Sequence, residues 1–238
     1  MRLCIIGSSH CAALGDGWEE VKGRYPGTEI HIFAAPRQQV LETRLTGSEL
    51  VPETEKLRNF FQLSSGGRET INVQQYDRFL LYALQKQAEI FQDDASYSEA
   101  VMQASRSARV LESPEMVLAR RLRECTSAPI DVALSPYRRP VGGRVPAEGS
   151  VAEENAAFAR LWAEAVPGAR FVPQPPETVL TGRATIPDYG SGTRRLSTRE
   201  GQKPIPHKSH DDVHANAEYG AIWISRYLEG LQHEELPA

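Results

Sequence analysis

Strand-like and helix-like segments alternate along all 238 residues, which predicts an α/β fold: a three-layer α/β/α sandwich on a mainly parallel central sheet. Three observations carry the prediction. Leu3 to Ile6 and Ile130 to Leu134 are short, nearly continuous apolar runs, the pattern of strands covered on both faces. Segments with apolar residues at helical spacing lie between the strands, the order that builds parallel β-α-β units. Hydrophobic residues at 40% and charged residues at 24% are ordinary for a soluble globular chain, long enough for one domain spanning 1–238 with a full core.

Taken in order, Leu3 to Ile6 ends at Gly7-Ser8-Ser9, and Ala12, Ala13, Leu14, Trp18 and Val21 then recur at helical spacing, weakened by Gly15 and Gly17. Tyr25-Pro26-Gly27 stops that helix, and Glu29 to Ala34 is a second strand, completing a β-α-β opening with a right-handed crossover. From Ala35 to Gly67 the pattern loosens into turns and charges around Phe60-Phe61. Ile71 to Val73 reads as a short strand and Tyr76 to Leu84 as a central one. Ser98 to Cys125 is mostly helical, with Ser113-Pro114-Glu115 opening a second helix. After the Ile130 to Leu134 strand, Arg138 to Gly149 is loop, Ala152 to Ala165 helix and Ala169 to Val172 a last strand. Residues 173–209 form a long loop rich in Pro, Gly and Arg, and a loop of that length in a compact domain is usually functional. A helix from Asn216 to Leu231 closes the chain. No internal repeat is present.

Net charge of −4 argues against a non-specific nucleic-acid binder, which needs a clustered positive surface. Arginine pairs at 120–121, 138–139 and 194–195 remain candidates for local anion sites. Cys4, Cys11 and Cys125 are odd in number and unpaired in spacing, so no disulfide framework is expected and a reducing compartment fits. Only four consecutive apolar residues precede Gly7, too few for a signal peptide or a membrane span. The expectation is a cytoplasmic protein without membrane association.

Ligand sites in open parallel sheets lie beyond the carboxyl ends of the strands, where Ser8 and Ser9 fall. A free serine is a poor nucleophile and needs an imidazole oriented by a third group. Asp211 and His214, three residues apart ahead of the last helix, supply both. At these residues the chain resembles the SGNH, or GDSL-type, hydrolases. In that family the serine follows strand one in a Gly-Asp-Ser turn, and a late Asp-x-x-His block is followed by Asn and Gly. Gly7-Ser8-Ser9 and the run from Asp211 through His214, Asn216 and Gly220 match that arrangement. The resemblance implies an SGNH-like, flavodoxin-like fold with Ser9 as nucleophile, His214 as general base and Asp211 as orienting carboxylate. It also implies a small-molecule or carbohydrate ester as substrate, hydrolysed or transferred, with neither cofactor nor metal; the oligomeric state is left open.

The resemblance further implies an oxyanion hole made by the Ser9 N–H, a glycine at Gly66 or Gly67, and an asparagine from a Gly-x-Asn block. Here that block reads Ala83-Leu84-Gln85, with Gln85 offering the same amide on a longer arm. His10, Arg138, Arg139 and His210 are candidate substrate-binding residues. Other readings stay open: the Ser8-Ser9 turn as a phosphate cradle at a helix start; His207, His210 and His214 with Asp211 and Asp212 as metal ligands by type; or a non-catalytic carbohydrate- or protein-binding module on the same fold.

Overall fold

The unbroken apolar run Leu3 to Ile6 is fully buried, as a strand covered on both faces requires. The computed structural model describes residues 1–86, 96–140, 151–180, 183–196, 205–207, 211 and 213–234. Over them the chain runs β1 (Arg2–Gly7), α1 (Cys11–Val21), β2 (Glu29–Ala34), β3 (Thr43–Thr46), β4 (Glu49–Pro52), α2 (Glu55–Ser65), β5 (Ile71–Asn72) and β6 (Arg78–Lys86). There follow α3 (Glu99–Leu111), α4 (Pro114–Arg123), β7 (Ile130–Ser135), α5 (Val151–Ala165), β8 (Ala169–Phe171), β9 (Val179–Leu180), β10 (Ala184–Thr185) and α6 (Ala217–Glu234). The central sheet has the order β2-β1-β6-β7-β8, and every pairing in it is parallel. This is the α/β sandwich the apolar runs predict.

Alternation along β1 separates the two cores. Leu3 and Ile5 pack with residues of α1 and α6, including Leu14, Trp18, Trp223 and Leu228. Cys4 and Ile6 face the opposite layer, with Leu57 and Phe61 of α2, Leu118 and Leu122 of α4, and Phe158 and Trp162 of α5. All three cysteines are free thiols.

Helix α1 forms despite its glycines, and Gly17 has a packing reason. A Cβ there would lie 2.1 Å from the Ala221 nitrogen, and a Cβ on Gly220 would lie 1.8 Å from the Ala13 oxygen. The helices cross backbone to backbone at these two residues. The crossing fixes the N-terminus of α1, which follows Ser9, relative to that of α6, which follows His214. Asn216 caps α6: its Oδ1 accepts from the Tyr219 N–H at 3.1 Å while its own N–H donates to the Tyr189 carbonyl at 2.8 Å.

Two segments carry more structure than the sequence reading gives them. Between Ala35 and Gly67, where turns are expected, lie the β3–β4 hairpin and the helix α2. Thr54 caps that helix by accepting from the Leu57 N–H, and Gly66 ends it at φ 75°. Ile71 joins β3 and β4 in a small antiparallel sheet and stands outside the main one. Within residues 173–209, β9 pairs with β10, and Thr193 to Arg195 pairs with Ile205 to His207. Among the described residues no helix is long and apolar enough to cross a membrane.

Candidate active site

Strand β1 delivers Ser9 through a turn that only glycine permits. A Cβ on Gly7 would stand 2.4 Å from the Tyr82 oxygen and 2.5 Å from Cys11 Sγ. The buried Ser8 N–H donates to the Tyr82 carbonyl at 3.3 Å, and Ser8 Oγ accepts from the His10 N–H at 3.4 Å. Ser8 therefore braces the turn, and the half-buried Ser9 side chain is free to face outward.

Across from it, Asp211 and His214 share one tight turn. Asp211 Oδ1 accepts from the N–H groups of Val213 at 2.9 Å and His214 at 3.0 Å, and Asp211 Oδ2 takes His214 Nδ1 at 2.7 Å. With Nδ1–H donating to a carboxylate, Nε2 is the ring's acceptor, and it meets Ser9 Oγ at 2.9 Å. Burial pushes the Asp211 carboxyl up, but the backbone and imidazole donors outweigh it and hold the group at about 2. It is therefore ionised at neutral pH.

Two further imidazoles stack on His214. His10 lies at 5.0 Å between centroids with planes 30° apart, and His207 at 4.0 Å with planes 12° apart. Burial, then the charge of His214, pushes His10 down to about 3. His207, Asp211 and His214 also bring ligand atoms within 4.8 Å of one another. A metal must lie in the plane of each ring that ligates it, about 2.0–2.1 Å from nitrogen. Two nearly parallel planes stacked at 4.0 Å do not converge on such a point, so both rings cannot hold one ion as they stand.

Ser9, His10 and His214 line a cleft of about 590 Å³ with Arg37, Gln38, Glu42, Ala83, Leu84, Lys86 and Ser135. Its wall at the end of β6 is a bulge: Tyr82 pairs with Ala133 and Lys86 with Ser135, so three residues of β6 span one of β7. Ala83 takes φ 58° within it. Leu84 and Gln85 donate their N–H groups to Glu115 Oε1 at 3.1 and 2.8 Å, and Ser135 Oγ donates to the Ala83 and Gln85 carbonyls at 3.4 and 3.1 Å. The bulge thus has its own built-in partners.

The structure brings Ser9, Asp211, His214 and His10 together. It does not bring Gly66 and Gly67 there: both follow α2 at positive φ, and Gly66 lines a separate pocket with Trp18 and Ile30. Gln85 is absent from the cleft lining, which passes through Ala83, Leu84 and Lys86 instead. Arg138 is exposed and outside the lining. Arg139 is buried and holds the Asp211–His214 turn from behind, donating to the carbonyl of His214 at 2.6 Å and to that of Asp211. These two bonds tie its guanidinium to the backbone of the turn. His210 and Asp212 lie outside the described residues. Sequence reading missed Arg37 and Gln38 as lining, Glu115 as the bulge's acceptor and His207 as a ring partner. Only His207 carried a signal, its spacing of four from Asp211.

No protein-family model matches the chain, and no curated protein matches it. Solved structures do. The periplasmic domain of a lipopolysaccharide acetyltransferase from Salmonella ser. Paratyphi A aligns at TM-score 0.50 and 9% identity, covering 97% of this chain and 83% of that one. A carbohydrate esterase aligns at 0.45 and 10% identity over 98% and 65% of the two chains. An extracellular lipase from Streptomyces rimosus aligns at 0.43 and 11% over 97% and 99%. The likeness to the acetyltransferase domain shows a shared α/β fold, in keeping with the SGNH-like fold that the sequence resemblance implies.

Proposed function

We propose that the chain is a serine-dependent acyl-ester hydrolase or O-acyltransferase, with Ser9 as nucleophile, His214 as general base and Asp211 as its orienting carboxylate. One observation carries the reading: Asp211 Oδ2, His214 and Ser9 Oγ form a continuous line at 2.7 and 2.9 Å that opens on a cleft.

In acylation, His214 Nε2 takes the Ser9 proton as Oγ bonds to the ester carbonyl carbon. Asp211 stabilises the imidazolium that results, and His214 then returns the proton to the departing alkoxide. Water, or a sugar hydroxyl, resolves the acyl-enzyme by the same exchange. The Ser9 N–H, at the positive end of α1 and without a partner among the described residues, is the first oxyanion donor. Arg37 and Gln38, in the turn after β2, line the same cleft, and their N–H groups, without a partner among the described residues, are the candidates for the second. Small esters and acetylated carbohydrates, the substrates the resemblance implies, suit a cleft of this volume.

Intact-mass measurement after treatment with a fluorophosphonate tests the reading. One adduct is expected on the wild-type protein, none on Ser9→Ala, and a greatly slowed reaction for His214→Ala. Labelling of Ser9→Ala would refute it. Absence of labelling in the wild type would favour a second reading, a binding module on the same fold. That reading draws on the position of Gln85 outside the cleft.

A further inference from the structure

The two ends of the 193–207 excursion are tied together. Arg195 donates its N–H to the Ile205 carbonyl at 2.8 Å, and His207 donates its own to Thr193 at 3.0 Å. This stem delivers the His207 ring to Asp211. Its Nδ1 stands 3.0 Å from Asp211 Oδ2, the same oxygen that receives His214 Nδ1. The Asp211 carboxylate thus accepts two backbone N–H groups on Oδ1 and the His214 imidazole on Oδ2, with His207 set close beside that second oxygen.

We propose that His207 is a positioning residue for the general base: with its Nδ1 beside Asp211 Oδ2, its ring stacks on one face of His214 so that Nε2 stays on Ser9. The inference rests on the reading of Ser9, His214 and Asp211 as a triad. Its physical reason is that the Asp-x-x-His turn fixes the His214 backbone and one ring nitrogen, yet leaves the ring able to swing about the Asp211 bond. A second ring stacked at 4.0 Å, with its own nitrogen beside the same oxygen, restricts that freedom.

The arrangement requires His207 to be neutral, because a second cation would oppose the imidazolium formed on His214. Around it stand His214, Asp211, His10 and Arg195 as charged or titratable groups, and the Thr193 carbonyl. Burial, then His214, pushes the His207 pKa down, against the pull of Asp211. Protonation of His207 in acid should therefore weaken the site.

Two variants separate the parts. His207→Asn keeps an N–H where Nδ1 stands and removes the ring; His207→Phe keeps the ring and removes the donor. Each is checked for folding by circular dichroism, and the rate of fluorophosphonate labelling at Ser9 is followed against pH. Both variants are expected to label about ten- to a hundredfold more slowly at neutral pH, the scale set by a misplacement of about 1 Å. The acid limb of the wild-type profile should be steeper than that of either variant, which lacks the His207 imidazole. A folded variant that labels at the wild-type rate with the wild-type pH profile overturns the proposal. Absence of labelling in the wild type overturns the triad reading itself and the proposal with it.

Discussion

Replacing Gly220 by alanine puts a methyl group where the two helices that carry the site touch. The new Cβ would stand 1.8 Å from the Ala13 oxygen and 2.4 Å from its carbonyl carbon, and real Cβ contacts essentially never fall below 3.0 Å. The gap must open by about 1.2 Å, and because the obstacle is backbone no rotamer change can absorb it. Overpacking of this kind costs about 1–3 kcal/mol, and the gain of about 1 kcal/mol from replacing glycine in a helix offsets only part of it. If α1 and α6 separate to make room, the 2.9 Å bond from Ser9 Oγ to His214 Nε2 stretches to about 4 Å, beyond hydrogen-bonding range. Gly15→Ala is the internal control, since its Cβ meets only Ile32 Cδ1 at 3.4 Å. It should be neutral or stabilising by up to about 1 kcal/mol. Urea denaturation measures the first effect and the labelling rate at Ser9 the second. Equal stability and equal labelling in Gly220→Ala and Gly15→Ala would refute the claim that the crossing sets the site.

Three further predictions follow from the same geometry. Glu115→Leu strands the Leu84 and Gln85 N–H groups and should destabilise by about 2–6 kcal/mol, at about 1–3 per unsatisfied buried group; Glu115→Gln keeps an acceptor and should lose markedly less in the same urea titration. Ala83→Gly relieves a left-handed φ of 58° and should leave stability within about 1 kcal/mol of wild type, whereas Ala83→Val should cost about 1–3 kcal/mol. The His10 ring is held neutral down to about 3 in the fold, against 6.5 when unperturbed. Between those values the unfolded chain binds more protons, so stability falls as pH falls, by at most about 1.4 kcal/mol per pH unit from this ring. Urea midpoints measured between about pH 4 and 7 should show a shallower slope for His10→Phe.

The legible parts of the sequence are those set by local pattern. Strands β1 and β7 declare themselves because both faces are buried, and α4 because Ser113 and Pro114 open it with side-chain and φ preferences that act within one turn. The Asp211–His214 pair is equally local. Helix α2 was missed although Thr54 and Gly66 bracket it, because its polar residues hide a narrow buried stripe, of which only Leu57 and Phe61 are apolar and Ser64 and Ser65 are not. What depends on distant chain is not legible. Gly17 reads as a weak point in α1 until α6 is laid across it. Gln85 reads as an amide donor until the bulge places its neighbours, and not itself, along the cleft. Arg139 reads as an anion site, yet its partners lie 72 and 75 residues further along the chain.

Strain in the backbone is placed where the cleft is. Arg37 at φ 57° and Ala83 at φ 58° are the two non-glycine residues with positive φ among those described, and both line the cleft with Ser9 and His214. Residues held there cost of order 1–3 kcal/mol each and persist only where their surroundings over-determine them. For Ala83 the surroundings are identifiable. Glu115 and Ser135 bond the peptide groups that follow it, each from an element of its own, α4 and β7. The Asp211 turn opposite is held in the same manner by Arg139 from behind and by the Asn216 cap below. Both walls of the cleft are thus held in part from outside it, by Glu115 on one side and by Arg139 and Asn216 on the other. The triad geometry should therefore respond more to Glu115 and Arg139 than to the exposed charges Arg37 and Lys86 that line its mouth.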